Sequence, residues 1–302
     1  MIKIKYIIMV FAGACSYGFL STFVKLAYKE GYSPSEISFS QAFIGMIALW
    51  LLVLISGKKN GNVAIRTGNW SSFLALLLTG ITIGLTTFTY YVSVKYIPAS
   101  VAIVFLMQFV WIGVFLEWLV FKKKPTPMQL MTVLLIITGT VLASGMLTEF
   151  KTNLSLKGIL YALLSSLLYA IYIVGNSRVG KSVAALQKSA IIVTGSAAGI
   201  FFFNVQALAG SAHILDPDLG KWALFLALFG TIIPPVLFAK GISQIGAGIS
   251  AIIMAVELPV AIVCSYVILK EQVSFLQWTG VLLMLLSIVL LNIPATEKDK
   301  GT

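Results

Sequence analysis

A single carboxyl set deep in an apolar segment is the residue of this chain best placed to do chemistry. Glu257 falls near the middle of the run 247–269, among alanines, isoleucines and valines. An ionisable side chain at that depth in lipid is costly to keep and marks a functional position by default. Pro259, two residues on, has no backbone N–H and frees the carbonyl near Ala255, so the pair cuts a polar notch into an apolar helix. A carboxyl there can carry a proton or answer a cation. The competing role is a neutral, hydrogen-bonded acid that ties helices together.

Polar residues elsewhere recur at helical spacing within otherwise apolar text. Tyr17, Ser21 and Lys25 stand at i, i+4 and i+8, one stripe on which Lys25 would engage a substrate carboxylate or simply snorkel to the interface. Thr82, Thr86, Thr89, Tyr90 and Ser93 follow the same rule, as do Ser165, Tyr169, Tyr172 and Asn176. Such stripes line a wet cavity or pack helices together, since a hydroxyl can also bond back to its own helix. Phe105, Gln108, Trp111 and Ile112 share one face of a further run, where Trp111 would stack on a planar substrate or fill the core. Glu117 lies about a turn from Lys122–Lys124 and is expected to snorkel towards them or pair with them. Pro234-Pro235 should kink or break their segment mid-membrane, a hinge shared with Pro259. Gly195 and Gly199 form a small-residue motif for close helix packing.

Several chemistries are missing from this inventory. The one histidine, His213, lies in a connection, and no His/Cys group has metal-ligand spacing, so no metal and no cofactor are expected. No phosphate-binding glycine loop is present to couple nucleotide hydrolysis. The apolar runs hold no Asp and no His, which argues against aspartyl or Ser–His catalysis within them.

The elements that must position these residues follow from composition. With 59% hydrophobic residues, 10% charged and a mean hydropathy of +1.00, the chain carries more apolar surface than a soluble domain can bury. Runs at 6–28, 35–56, 71–94, 98–121, 127–147, 157–177, 184–208, 222–242, 247–269 and 275–293 are each about long enough to cross a bilayer. Backbone groups in lipid must be satisfied internally, so the expected class is an all-α polytopic membrane protein of ten transmembrane helices. Numbered alternately, the connections put 14 of the 21 lysines and arginines on one side, Lys188 among them. The positive-inside rule then places both termini in the cytoplasm. The net charge of +11 is thus a topology signal, and no nucleic-acid partner is expected. Lys3 and Lys5 precede a run that continues past Ala12-Gly13-Ala14-Cys15, which reads as a retained first span rather than a cleaved leader. Cys15 and Cys264 sit within spans as small apolar groups. A bacterial inner membrane suits the absence of an organellar presequence.

The chain also repeats itself. Segment 96–145 lies on 244–293 at a constant offset of 148, bringing Lys122 onto Lys270 and Gln129 onto Gln277; Tyr17 meets Tyr169 at 152. Gln108 falls within one residue of Glu257, so the two are expected near each other at the centre. The boundaries read as 1–150 and 151–302, five spans each. An odd number of spans turns the second half over, giving inverted repeats with a site between them.

Val256-Glu257-Leu258-Pro259-Val260, Leu269-Lys270-Glu271-Gln272 and Gln277-Trp278-Thr279-Gly280 resemble EamA-type members of the drug/metabolite transporter superfamily, and the resemblance covers nearly the whole chain. The first half departs from it, with Phe109-Val110-Trp111 at the Glu-x-Pro position and Lys123-Lys124 at the Glu-Gln position. The resemblance implies a ten-helix carrier of small metabolites, often an exporter of amino acids or related compounds. Expected partners are a small-molecule substrate and the bilayer, with the protein monomeric or a weak homodimer. Two alternatives are an integral-membrane enzyme on a lipid-soluble substrate and an importer of a small cation or metabolite.

Overall fold

The computed structural model describes residues 4–59, 70–122, 124–143, 155–211, 213, 216–270 and 273–292. Lys3, residues 60–69, Lys123, residues 144–154, the Glu271-Gln272 pair and residues 293–302, all used in the sequence reading, lie outside them. Among the described residues there are helices and no strands. Eight helices are long and apolar enough to span a membrane: α1 (Ile4–Lys29), α2 (Pro34–Ser56), α3 (Trp70–Tyr96), α4 (Val101–Phe121), α6 (Leu156–Arg178), α7 (Ala185–Ala209), α8 (Pro217–Ile245) and α9 (Ala247–Leu269). Two shorter apolar helices, α5 (Pro127–Ala143) and α10 (Phe275–Ser287), pack on each other. Among the described residues, eight of the expected spans are thus helices long enough to cross, and α5 and α10 fall on the other two. The molecule is a polytopic membrane protein.

The direction of each helix can be read from what meets at its ends. On the near face, where α1 begins, Gly241 of α8 lies against Tyr6 and Val10, and Gly180 lies against Leu76 of α3. There too the backbone N–H of Gly248, the second residue of α9, donates to Glu117 Oε2 of α4 at 2.6 Å. On the far face the Tyr32 hydroxyl donates to Asp216 at 3.0 Å, Ser35 to Asn204 at 2.9 Å and the Trp222 indole to Glu30 at 2.6 Å. Asp216 also caps α8 by accepting from the Asp218 N–H at 2.9 Å, which holds its carboxyl below the usual range. α1 therefore runs oppositely to α6, and α3 to α8. Contacts follow the same exchange: α1 packs on α8 and α9 as α6 packs on α3 and α4, while α2 meets α7 and α4 meets α9.

Small residues allow these approaches. Gly195 and Gly199 of α7 take the backbone of Leu77 and the side chain of Ile81 in α3, the close packing expected of that motif. Gly18 lies where an added Cβ would stand 2.9 Å from the Glu257 carbonyl and 2.6 Å from Val260, so α1 can reach the break in α9 only without a side chain there.

α1 is interrupted at Phe19 and resumes as a second segment at Leu20, α7 is kinked at Asn204, and three further helices are irregular. α8 is π-helical over Ala227–Ile232, just before Pro234-Pro235, and the Phe229 carbonyl accepts from the Ser16 hydroxyl at 2.6 Å instead of from a proline nitrogen. α9 breaks at Ala255–Val256, two turns of helix on either side of a tight connection, and the carbonyl freed by Pro259 is taken up by Leu258 N–H at 3.3 Å. α4 breaks at Met107–Gln108 with no proline nearby, and the Gln108 amide donates to the Val104 carbonyl at 3.2 Å. Both broken helices end on a lysine in the left-handed conformation, Lys122 at φ 56° and Lys270 at φ 58°.

Candidate functional site

The broken α9 delivers Glu257 to the middle of the bundle, 3% exposed, at the first residue of its second helical segment, where a helix N-terminus favours negative charge. The Tyr169 hydroxyl of α6 donates to Glu257 Oε1 at 2.6 Å. Phe109, first residue of the second segment of α4, packs on the other side of the same tyrosine with ring centroids 4.6 Å apart. Tyr17 of α1 meets Tyr169 edge to face at 6.2 Å and Phe238 of α8 at 5.5 Å. Tyr169 is thus held by the counterparts of two broken helices and by its own counterpart in α1.

A cavity opens beside this group. Its wall comes from Tyr17, Leu20 and Ser21 of α1, from α3 between Ile83 and Tyr91, from Ile103 and Leu106 of α4, and from Tyr169 and Glu257. The Tyr90 hydroxyl, 8% exposed and facing Ser21, completes no well-formed hydrogen bond. Tyr17, Ile83 and Thr87 divide this space from a second, smaller compartment, which Gln41 and Ser38 of α2, Ser196 of α7 and Thr231 of α8 close. The second compartment abuts the π-helical stretch of α8 and Pro235. Both lie between mid-bundle and the far face.

Towards the near face the bundle is filled. Tyr172, fully buried, stacks on Tyr169 at 6.1 Å and accepts from the Asn176 amide at 3.1 Å. Below it Lys188 of α7, 1% exposed, donates to the Asn176 carbonyl at 2.6 Å and to Ser243 of α8 at 2.9 Å. That ammonium ties three helices together under the cavity.

The expected site residues divide accordingly. Glu257, Tyr17, Ser21, Thr86, Tyr90 and Tyr169 line the cavity. Tyr172 and Asn176 do not; they fill the layer beneath it. Thr82 is half-buried outside both compartments and donates to the Thr79 carbonyl at 2.8 Å. Lys25 is half-buried on the second segment of α1, nearer the far face, and lines neither compartment. Gln108 and Trp111 are corrections. Because α4 breaks at Met107–Gln108, Phe109 and not Gln108 takes the place opposite Glu257. Trp111 turns outward, 42% exposed, donating to Gln108 Oε1 at 2.8 Å. Glu117, expected near Lys122–Lys124, is buried and caps the start of α9. Lys188, counted among connection charges, is a core residue. Pro234 and Pro235 are buried beside the π-helical stretch, and Pro259 follows the α9 break. Sequence reading missed Tyr91 and Gln41, whose hydroxyl-to-amide hydrogen bond of 2.8 Å joins α3 to α2; a lone Gln in the apolar α2 was the available signal.

A bundle of membrane-spanning helices with a largely apolar and aromatic cavity beside the buried Glu257 defines a polytopic membrane protein. The chain belongs to the EamA-like transporter family, whose model matches residues 4–145 and 156–293. It is similar to the uncharacterized transporter YcbK of Bacillus subtilis, 24% identical over 285 residues spanning 90% of this chain and 88% of that one. It also resembles the uncharacterized transporter sll1319 of Synechocystis, at 23% over 99% and 97% of the two chains. The uncharacterized inner membrane transporter YicL of Salmonella typhimurium matches at 22% over 89% and 91%. A solved crystal structure shares the fold with a TM-score of 0.67 at 15% identity, over 94% of this chain and 97% of its own. The protein is a membrane transporter of a bacterial transporter family.

Proposed function

We propose that the protein is a secondary-active carrier that works by alternating access, its two five-helix halves, 1–150 and 151–302, forming inverted repeats of a ten-span bundle. The observation that carries this reading is the cavity at Glu257, walled by α1, α3 and α4 of one half and by α6 and α9 of the other. A site between oppositely directed halves is the arrangement from which rocking exposes one pocket to each side in turn. The opposed directions of α1 and α6 and of α3 and α8, with matching breaks in α4 and α9, support it.

The excess of basic residues puts the near face and both termini in the cytoplasm of a bacterial inner membrane. The present form is then closed to the cytoplasm by the Lys188 layer, with its cavity displaced outward. The substrate is small and amphiphilic, in the range of amino acids and related amines, because the wall is apolar and aromatic with few polar groups. The direction is export, and Glu257 couples it to protons. Pro234, Pro235 and Pro259 mark the points where helices bend, and the transporter acts as a monomer or weak homodimer.

Counterflow in proteoliposomes tests this. Vesicles preloaded with substrate should accumulate labelled substrate transiently, and protein-free vesicles should not. Uptake that merely equilibrates, or chemical alteration of the compound by the purified protein, would contradict a carrier.

A further inference from the structure

We infer that the cavity recognises an organic monocation and selects against a free carboxylate on the substrate. This rests on the carrier reading and narrows its substrate range to the amines, setting the amino acids aside. Among the described residues, the side chains lining both compartments include one carboxyl, Glu257, and no lysine, arginine or histidine. An anionic end would find no cation to pair with and would face a like charge at close range.

The hydroxyl protons point the same way. Thr86 donates to the Thr82 carbonyl at 2.8 Å and Thr87 to the Ile83 carbonyl at 3.1 Å; Ser38 bonds back to Ser35 at 3.4 Å. A hydroxyl has one proton, so each of these shows only lone pairs to the cavity. Tyr91 spends its proton on Gln41 and Tyr169 on Glu257. Thr86, Thr87, Tyr91 and Tyr169 thereby offer the larger compartment acceptors that suit the N–H groups of an ammonium.

Aromatic faces add a third contribution. Tyr17, Tyr90 and Tyr91 line the larger compartment beside the carboxyl, whereas Tyr169 has its ring covered by Phe109 and Tyr172. Ring faces attract cations, more strongly where water is excluded. The structure therefore assigns the amine to the space between Glu257 and these rings. A neutral hydroxyl or amide on the substrate reaches past Tyr17 to Gln41 and Thr231.

A matched series tests the assignment by calorimetric titration of the purified full chain: phenethylamine, its N-trimethyl derivative, phenylalanine and 3-phenylpropionate. Both cations should bind about tenfold or more tightly than phenylalanine, and the acid should give no heat. Glu257→Gln should erase the gap between cation and zwitterion; if that variant does not purify as a single species, Glu257→Asp should retain it. Tyr90→Phe, which keeps the ring, should preserve the cation preference. Equal or tighter binding of phenylalanine or the acid, no binding of either cation, or a gap that survives Glu257→Gln would overturn the proposal. Counterflow separates the two readings. Cation binding without counterflow leaves the site and removes the carrier, whereas counterflow of phenylalanine with no cation preference does the reverse.

Discussion

α4 stops after Leu106 and resumes at Phe109; α9 stops after Met254 and resumes at Glu257. Both then run to a left-handed lysine, and both second segments press on Tyr169. Only α9 has a proline near its break, so the backbone form does not depend on one. In α4 a glutamine amide caps the exposed carbonyl instead. The two helices share a shape and differ at one chemical position, where a phenyl ring stands in the first half and a carboxyl in the second. Backbone form and side-chain chemistry are separable here, and on the reading proposed above the carboxyl end carries the selectivity.

The largest effect should come from the position that differs. Glu257→Gln is expected to lower gradient-driven transport on the order of a hundredfold, measured as initial rates in proteoliposomes, whereas Phe109→Leu should stay within a few-fold of the parent. Comparable losses at both would break the contrast. Next in size, Phe109→Ala removes a fully buried ring and should cost about 3 kcal/mol of stability, read from unfolding in detergent. A negligible loss would show that the first-half segment is not packed on Tyr169 as described. Lys188→Met removes the tie beneath the cavity. Labelling of Ser243→Cys from the near face should then rise roughly fivefold, about 1 kcal/mol of population shift, and unchanged labelling would assign the seal to the tyrosine layer alone. The smallest effects are expected at the helix ends: Lys122→Gly and Lys270→Gly should each stabilise by about 0.5–1 kcal/mol, because glycine adopts positive φ without a Cβ clash. A gain at one and a loss at the other would argue that the two ends are not equivalent.

Much of this was legible from residue types alone. Hydropathy locates the spans, and depth singles out Glu257. Hydroxyl spacing picks out Tyr17, Ser21, Thr86, Tyr90 and Tyr169, because α3 and α6 run unbroken there and the interruption of α1 at Phe19 keeps helical dihedrals, so a helical wheel holds. The wheel fails across the α4 break: a tight turn at Met107–Gln108 rotates everything after it, turning Phe109 inward and Trp111 to the lipid side. Gln41 and Tyr91 escaped because each stands outside a stripe and acquires its role only when α2 meets α3. Lys188 escaped because a basic residue near a span end normally snorkels, and only the tertiary fold supplies the Asn176 carbonyl and Ser243 that keep it buried.

Access to the cavity from each side is the most direct test of a carrier. Ser21→Cys, with Cys15 and Cys264 replaced by alanine, places a single thiol on the cavity wall. In oriented vesicles a membrane-impermeant thiol reagent should label it from either face, more slowly from the near face, with a bound organic cation protecting it from both. Labelling confined to one face, with and without ligand, would contradict alternating access at Glu257.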